Sequence, residues 1–134
     1  MEHALHCLLD TPLLTICHDT SNGWLYNQWK GSHTYDTVFI CVEHILACLD
    51  ATACTKMLSD HTQLTGDWEK AASRLGSESF GQVAVRGVSA VAWVYGPDYR
   101  DLVAMRLTQH VAEKPTIAIF DDVATACIWL QQRP

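Results

Sequence analysis

Three consecutive residues, Ser59, Asp60 and His61, are of the types that form the catalytic triad of serine hydrolases. Neighbouring side chains of a strand alternate between its two faces, so the three cannot act together as nucleophile, orienting carboxylate and base. The sequence also has no G-x-S-x-G turn to expose a nucleophilic serine. We therefore predict that the protein is not an enzyme. Asp60 and His61 then either bind a polar group or close the end of a strand as solvated residues.

A second set, Cys41, His44 and Cys48, has a spacing that allows its members to share one side of a helix. With His61 or His18 these residues would complete a tetrahedral zinc site. Ligand pairs of structural zinc sites usually come from short turns, however, and both cysteines border an apolar stripe. We expect buried thiols beside a surface histidine, and neither a metal nor a cofactor.

The aromatic residues indicate a different function, the binding of a small apolar molecule. The chain contains five Trp and four Tyr, and these side chains line ligand pockets as well as cores. Trp24, Trp68, Trp93 and Tyr95 belong to elements that we expect to be neighbours, so they are the candidate pocket residues. Core packing is the alternative role for the same four side chains.

The elements that position these residues are predicted from alternating strand and helix patterns. A β-hairpin over 13–30 comes first, because Asn22 and Gly23 supply its turn. The clearest helix spans 32–53, where apolar residues recur every three or four positions behind the N-cap Thr34. The other predicted strands are 54–59, 88–95 and 116–120, and the other predicted helices are 65–75, 77–86, 99–111 and a terminal one opened by Asp121 and Asp122.

This order of elements predicts an α/β fold with a mixed, mostly parallel five-stranded sheet, an N-terminal β-hairpin and helices packed on the sheet. A chain of 134 residues is long enough for one domain with a real core. We expect residues 1–10 to form a loosely attached lead-in and 11–134 to form the domain.

Composition excludes several classes of partner and location. A net charge of -6 with only nine Lys and Arg argues against nucleic-acid binding. No apolar run approaches the roughly 20 residues that cross a bilayer, and the N-terminus lacks the features of a secretory signal. Six cysteines, mostly among apolar neighbours, are then best explained as reduced thiols in the cytoplasm.

The most promising surface is the crossing at 56–70, where a strand is predicted to lead into a helix. Thr65 is the best N-cap of that helix by side-chain chemistry. In open α/β sheets such an edge is where ligands and partners bind. The predicted partner-binding residues are Asp60, His61, Thr62, Gln63, Leu64, Gly66, Asp67 and Trp68.

The chain resembles the STAS superfamily, and within it the small bacterial proteins similar to anti-sigma-factor antagonists. Four stretches carry this resemblance in the sequence. They are the hairpin around Gly23-Trp24-Leu25-Tyr26, the strand from Lys56 to Asp60, the run Val91-Ala92-Trp93-Val94-Tyr95, and the closing segment from Phe120 to Leu130.

The resemblance implies a regulatory protein-interaction module whose partner is a kinase or an anti-sigma-like regulator. In such antagonists a Ser or Thr at the start of the second helix is phosphorylated, and Thr65 is the positional match, with Thr62 and Ser59 as rival acceptors. Gln63 and Leu64 replace the usual acidic-then-small residues before it. A homodimer is also compatible with the pattern. STAS domains are similar in shape to CRAL-TRIO lipid carriers, which makes an apolar-ligand carrier the alternative function.

Overall fold

A computed structural model of the chain describes residues 5–66, 68–96 and 115–134. Within these ranges six strands form one sheet, and their order in space is their order along the chain. The first two strand pairings are antiparallel and the next three are parallel. The elements are β1 (Leu5–Asp10), β2 (Leu14–Asp19), β3 (Trp24–Ser32), α1 (Tyr35–Thr52), β4 (Lys56–Thr65), α2 (Glu69–Arg74), a π-helical turn (Leu75–Ser79), α3 (Phe80–Val85), β5 (Ala90–Val94), β6 (Thr116–Phe120) and α4 (Val123–Gln131).

The predicted α/β fold with a mixed sheet is confirmed, but the predicted number of five strands is wrong. The additional strand, β1, lies in the predicted lead-in and pairs with β2 at one edge of the sheet. Most of its side chains are exposed, so main-chain hydrogen bonds hold it in place more than apolar burial does. Apolar periodicity does not reveal a strand of this kind. The predicted helix 99–111 lies outside the described residues.

The predicted hairpin and first helix are confirmed with small shifts of their ends. Gly23 closes the β2–β3 turn with a φ of +79°, a conformation that favours glycine. At the start of α1 the Thr37 amide donates to Thr34 Oγ1 at 3.1 Å, and the Thr34 amide donates to Thr37 Oγ1 at 2.9 Å. These reciprocal bonds form a capping box, which satisfies two amides that the helix itself leaves unpaired.

The sheet separates two apolar cores. On one face, α1 and the segment from α2 to α3 cover the larger core, which includes Trp29, Leu49, Val91 and Trp93. On the other face, α4 packs over Trp24, Leu58, three residues of β5 and its own Ala126 and Leu130. Because side chains of a strand alternate between faces, consecutive residues of β5 supply both cores.

The helical segment after β4 is continuous where the sequence predicts a break. Gly76 is predicted to end a helix, but it is buried within the π-helical turn between α2 and α3. A π-turn widens the helix by one residue and often marks a functional site. Gly87, which follows α3, has a φ of +100°.

The C-terminal strand and helix are confirmed, with Asp122 as the N-cap of α4. Its carboxylate accepts from the Thr125 amide at 2.7 Å and from the Thr125 hydroxyl at 2.9 Å. Both bonds hold the pKa of Asp122 below its usual value, and the bond from the Thr125 amide has the larger effect. None of the helices in the described ranges combines the length and apolarity needed to span a bilayer.

Candidate functional site at the end of strand β4

Strand β4 runs six residues beyond its predicted end and includes most of the predicted partner-binding segment. It pairs with β3 as far as Thr65, which lies opposite Ser32. The prediction that Thr65 caps the next helix is therefore wrong, because the N-cap position of α2 belongs to Trp68. Polar residues continue the strand here because parallel pairing with Lys30, Gly31 and Ser32 supplies its main-chain hydrogen bonds.

A β-bulge interrupts this pairing in the middle of the segment. Gln28 lies opposite Asp60 and Lys30 opposite Gln63, so β4 holds one residue more than β3 between these pairs. Gly96, just after β5, approaches the bulge so closely that a Cβ at this position would overlap the carbonyl oxygen of His61. Bulges of this kind redirect side chains and are common beside functional sites.

Asp60 is buried, and both oxygens of its carboxylate accept hydrogen bonds. Its Oδ2 accepts from the Tyr26 hydroxyl at 2.6 Å. Its Oδ1 accepts from the amide and the hydroxyl of Thr62, at 3.0 Å and 2.7 Å. Burial and the bond to Asp60 raise the pKa of Tyr26. The carboxylate therefore holds the bulge to β3 from a buried position.

His61 lies at the centre of an aromatic cluster and is only 1% exposed. Its ring stacks on Trp93 with 3.9 Å between centroids and on Trp29 with 5.8 Å, and Trp68 meets it edge-on at 5.1 Å. Burial, aided by the charge of His33, lowers the pKa of His61 to about 3. The imidazole is therefore neutral at physiological pH.

Ser59 and His61 meet, because the alternation of faces along a strand puts residues two positions apart on the same side. They are two positions apart and share one face of β4, so Ser59 Oγ lies 2.8 Å from His61 Nε2. Asp60 faces away and bonds Tyr26, so the third member of a triad is not in place. With a pKa near 3, the imidazole is also far from the value that suits a base at neutral pH.

A small cavity adjoins this cluster between the sheet and the π-helical turn. Its volume is about 40 Å³, which is room for roughly three water molecules at ~10–15 Å³ each. Three buried polar atoms among its lining residues, Asn27 Oδ1, His61 Nδ1 and Trp93 Nε1, have no hydrogen-bond partner among the residues that the structure describes. The remaining wall is largely apolar and includes Trp29, Leu75 and Phe80.

The four predicted pocket residues are divided by the sheet. Trp68 and Trp93 both contact His61, and Tyr95 packs against the same core from a half-buried position. Trp24 belongs to the opposite core, because it pairs with Asp19 at the far end of β3 and faces the other way. The structure thus joins three of the four and excludes Trp24.

An open cleft of about 260 Å³ lies on the outer side of Trp68, between α2 and the start of α1. Residues of both helices and of the turn before α1 line it: His33, Thr34, Tyr35, Val38, Trp68, Lys70 and Ala71. Trp68 is only 4% exposed and also meets the rings of Trp29 at 5.0 Å and His33 at 5.9 Å. It therefore connects the surface cleft to the buried cluster.

A surface group that the sequence prediction missed lies at the rim of this cleft. Tyr35 is 45% exposed, and the Arg74 guanidinium donates to its hydroxyl at 3.3 Å. The same guanidinium lies 4.1 Å from the ring centroid of Phe39. The spacing of Tyr35 and Phe39, one helical turn apart and outside the apolar stripe, was the available signal.

The predicted partner-binding residues fall into three groups. Asp60, His61, Leu64 and Trp68 are buried, whereas Thr62, Gln63 and Gly66 are exposed, as is the candidate phosphoacceptor Thr65. Asp67 lies outside the described residues. Among the buried members Trp68 lines the open cleft, whereas Asp60, His61 and Leu64 do not.

Within the described part of the chain, no fourth ligand joins Cys41, His44 and Cys48. Cys41 is buried, His44 is exposed, and Cys48 is half-buried. Across the described ranges no group of three or more His, Cys, Asp or Glu side chains is arranged to hold a metal ion.

Comparison of the chain with protein-family models, with curated proteins and with solved structures finds no match.

Proposed function

We propose that the protein is a non-enzymatic regulatory module of STAS type that binds a protein partner at the cleft beside Trp68. The observation that carries this proposal is the open cleft of about 260 Å³ between α1 and α2. It lies at the carboxyl ends of the parallel strands β3 and β4, the edge at which α/β sheets commonly bind ligands and partners. The resemblance to anti-sigma-factor antagonists supports the same edge.

The composition of the rim favours a protein over a small molecule. Tyr35 and Arg74 are exposed side chains of the types enriched at interface hot spots. Their contact with each other and with Phe39 restricts their rotamers before binding, which reduces the entropy lost on association. Thr62, Gln63 and Thr65 add exposed polar groups at the end of β4.

In this proposal Asp60 and His61 act by positioning and not by contact. Asp60 fixes the bulge through Tyr26 and Thr62, and His61 supports Trp68 from beneath. The neutral, buried imidazole has the wrong pKa for acid–base catalysis at neutral pH, which supports a binding function over a hydrolase. Buried free thiols at Cys41 and Cys54 support a cytoplasmic location.

Phosphorylation of Thr65 is a further part of the proposal. Of the three candidate acceptors, Ser59 is buried against His61, and the Thr62 hydroxyl is bonded to Asp60. Thr65 is exposed at the end of β4. A phosphate there would add about two negative charges beside the cleft. We expect mass spectrometry of protein from its own cells to locate phosphate on Thr65, and phosphate only elsewhere would contradict this part.

Affinity capture with matched variants tests the binding site. Wild-type protein, Tyr35→Ala and Ile40→Ala are immobilised and exposed to lysate of the cells that make the protein. Both substitutions remove an exposed, large side chain from α1, but only Tyr35 lines the cleft. We expect a protein retained by wild type and Ile40→Ala to be lost with Tyr35→Ala. Equal retention by all three would contradict the proposed site. If the partner is a second copy of this chain, the copy from the lysate would be the retained protein.

The aromatic cavity favours one alternative, the carriage of a small apolar molecule. Its walls are mostly apolar and its unpartnered polar atoms could orient a ligand, but at about 40 Å³ it must widen at the π-helical turn to admit one. Titration with indole, followed by NMR, tests this alternative. Saturable shifts at Trp93 and Phe80 would support a carrier, and unchanged spectra would contradict it.

A further inference from the structure

Two cysteines face each other directly across the outermost pair of strands. In the antiparallel register of β1 and β2, Cys7 lies opposite Cys17. Residues so paired have Cα atoms about 4.5 or 5.5 Å apart, and both distances fall within the range of about 4.4–6.8 Å that disulfides span.

We propose that Cys7 and Cys17 form a reversible disulfide that fastens the edge strand β1 to the sheet. Both thiols are free in this structure, Cys7 being exposed and Cys17 half-buried. The exposed partner gives an oxidant access, and the shielded partner lies in position to complete the bond. This combination of an accessible thiol and an adjacent resolving thiol is typical of redox-sensitive pairs.

The other cysteines are less suited to react. Cys41 and Cys54 are buried, and burial raises the pKa of Cys41 to about 11. Burial, with the neighbouring Cys7, also raises the pKa of Cys17, so Cys7 is the attacking thiol. Cys127 is the rival partner, because it packs with Tyr26 on the face of the sheet that Cys17 also occupies.

The chemistry is a two-step exchange with a small disulfide such as oxidised glutathione. The Cys7 thiolate attacks one sulfur of that disulfide, forms a mixed disulfide and releases one glutathione thiolate. Cys17 then loses its proton to solvent, attacks the Cys7 sulfur and releases the second glutathione thiolate. Two cysteine thiols are oxidised and one glutathione disulfide is reduced to two thiols.

The bond would act on the least-buried strand of the sheet. Leu5 and Leu8 of β1 are both more than 40% exposed, at 43% and 42%. A groove of about 290 Å³ separates Leu8 and Leu9 from α1, so little side-chain packing opposes the release of β1. Oxidation therefore covers the edge of β2, and reduction leaves that edge free to open.

The test is equilibration of the purified protein in glutathione buffers of increasing oxidised fraction, followed by acid quenching, alkylation and mass spectrometry. The sequence has no Lys or Arg before Lys30, so trypsin leaves both cysteines in one peptide, whereas cleavage at Asp10 separates them. We expect wild type and Cys127→Ser to lose two thiols together and to yield a peptide pair joined through Cys7 and Cys17.

Cys17→Ser provides the sharper result. Without a resolving thiol, the mixed disulfide at Cys7 is expected to accumulate at least about tenfold above its level in wild type. The proposal would be overturned if wild type accumulated the mixed disulfide to the same level. It would also be overturned by a link from Cys17 to Cys127, or by links only between chains.

Discussion

The surroundings of His61 hold its imidazole neutral, so the free energy of unfolding depends on pH in the acid range. Its pKa is about 3 in the folded protein against 6.5 as the ordinary value. Below pH 6.5 the unfolded chain binds a proton that the folded protein does not. The free energy of unfolding therefore has its full value above pH 6.5. As the pH decreases from 6.5 towards 3, it falls by about 1.4 kcal/mol per pH unit.

Replacement of His61 by Phe tests this. Phe can stack between Trp29 and Trp93 but cannot titrate, so we expect the pH dependence of stability between pH 6 and 4 to weaken by about 1 kcal/mol per pH unit. Urea unfolding at pH 7, 6, 5 and 4 measures it. His44→Phe, at an exposed histidine of α1, is the control and should keep the wild-type slope. An unchanged slope in His61→Phe would show that His61 is protonated in the folded state.

Gly96 is required by the close approach of β5 to the bulge. A Cβ at this position overlaps the His61 carbonyl, and backbone cannot move aside as a flexible side chain can. Gly96→Ala should therefore lower the free energy of unfolding by about 1–3 kcal/mol. Gly81→Ala is the matched control, because a Cβ there meets nothing within 4 Å and alanine favours the helix by about 0.5–1 kcal/mol. Chemical denaturation measures the free energy of unfolding of both variants. An equal change in the two would contradict the close approach of Gly96 to the His61 carbonyl.

At the scale of elements, the start of α4 shows how much local sequence rules can predict. Asp122 was predictable as its N-cap, and the structure pairs it with the Thr125 amide. Asp122→Ala should lower the midpoint temperature of unfolding, whereas Asp122→Asn should remain near wild type because Asn caps equally well. Thermal unfolding of the two variants compares them. Equal losses would mean that the charge, and not the hydrogen bond, stabilises this helix.

Other elements depend on neighbours that the sequence does not reveal. The apolar pattern of β4 stops after Leu58, so the sequence predicts the end of the strand at residue 59, six residues before its end in the structure. Tyr26 satisfies Asp60 across the β3–β4 pairing, and Ser59 satisfies His61, which allows polar residues to remain buried in a strand. The same limit explains Gly76, a predicted helix end that the π-helical turn buries.

At the scale of the whole molecule, the sheet decides which predicted groups can cooperate. The hairpin, α1 and the closing strand and helix follow from turn residues, caps and apolar periodicity. The division of Trp24 from Trp68 and Trp93 depends instead on strand register, which a shift of one residue would invert. The cleft is also beyond local rules, because it joins Tyr35 to Trp68 across two helices.

The central claim, that a protein partner binds this cleft, is tested most directly by site-specific photo-crosslinking. A photoreactive phenylalanine derivative replaces Tyr35 in one sample and Ile40 in another, both exposed on α1, and the cells that make the protein are irradiated. We predict that position 35, and not position 40, is linked to one protein, which mass spectrometry identifies. Links from position 40 alone, or no link from position 35, would contradict the claim.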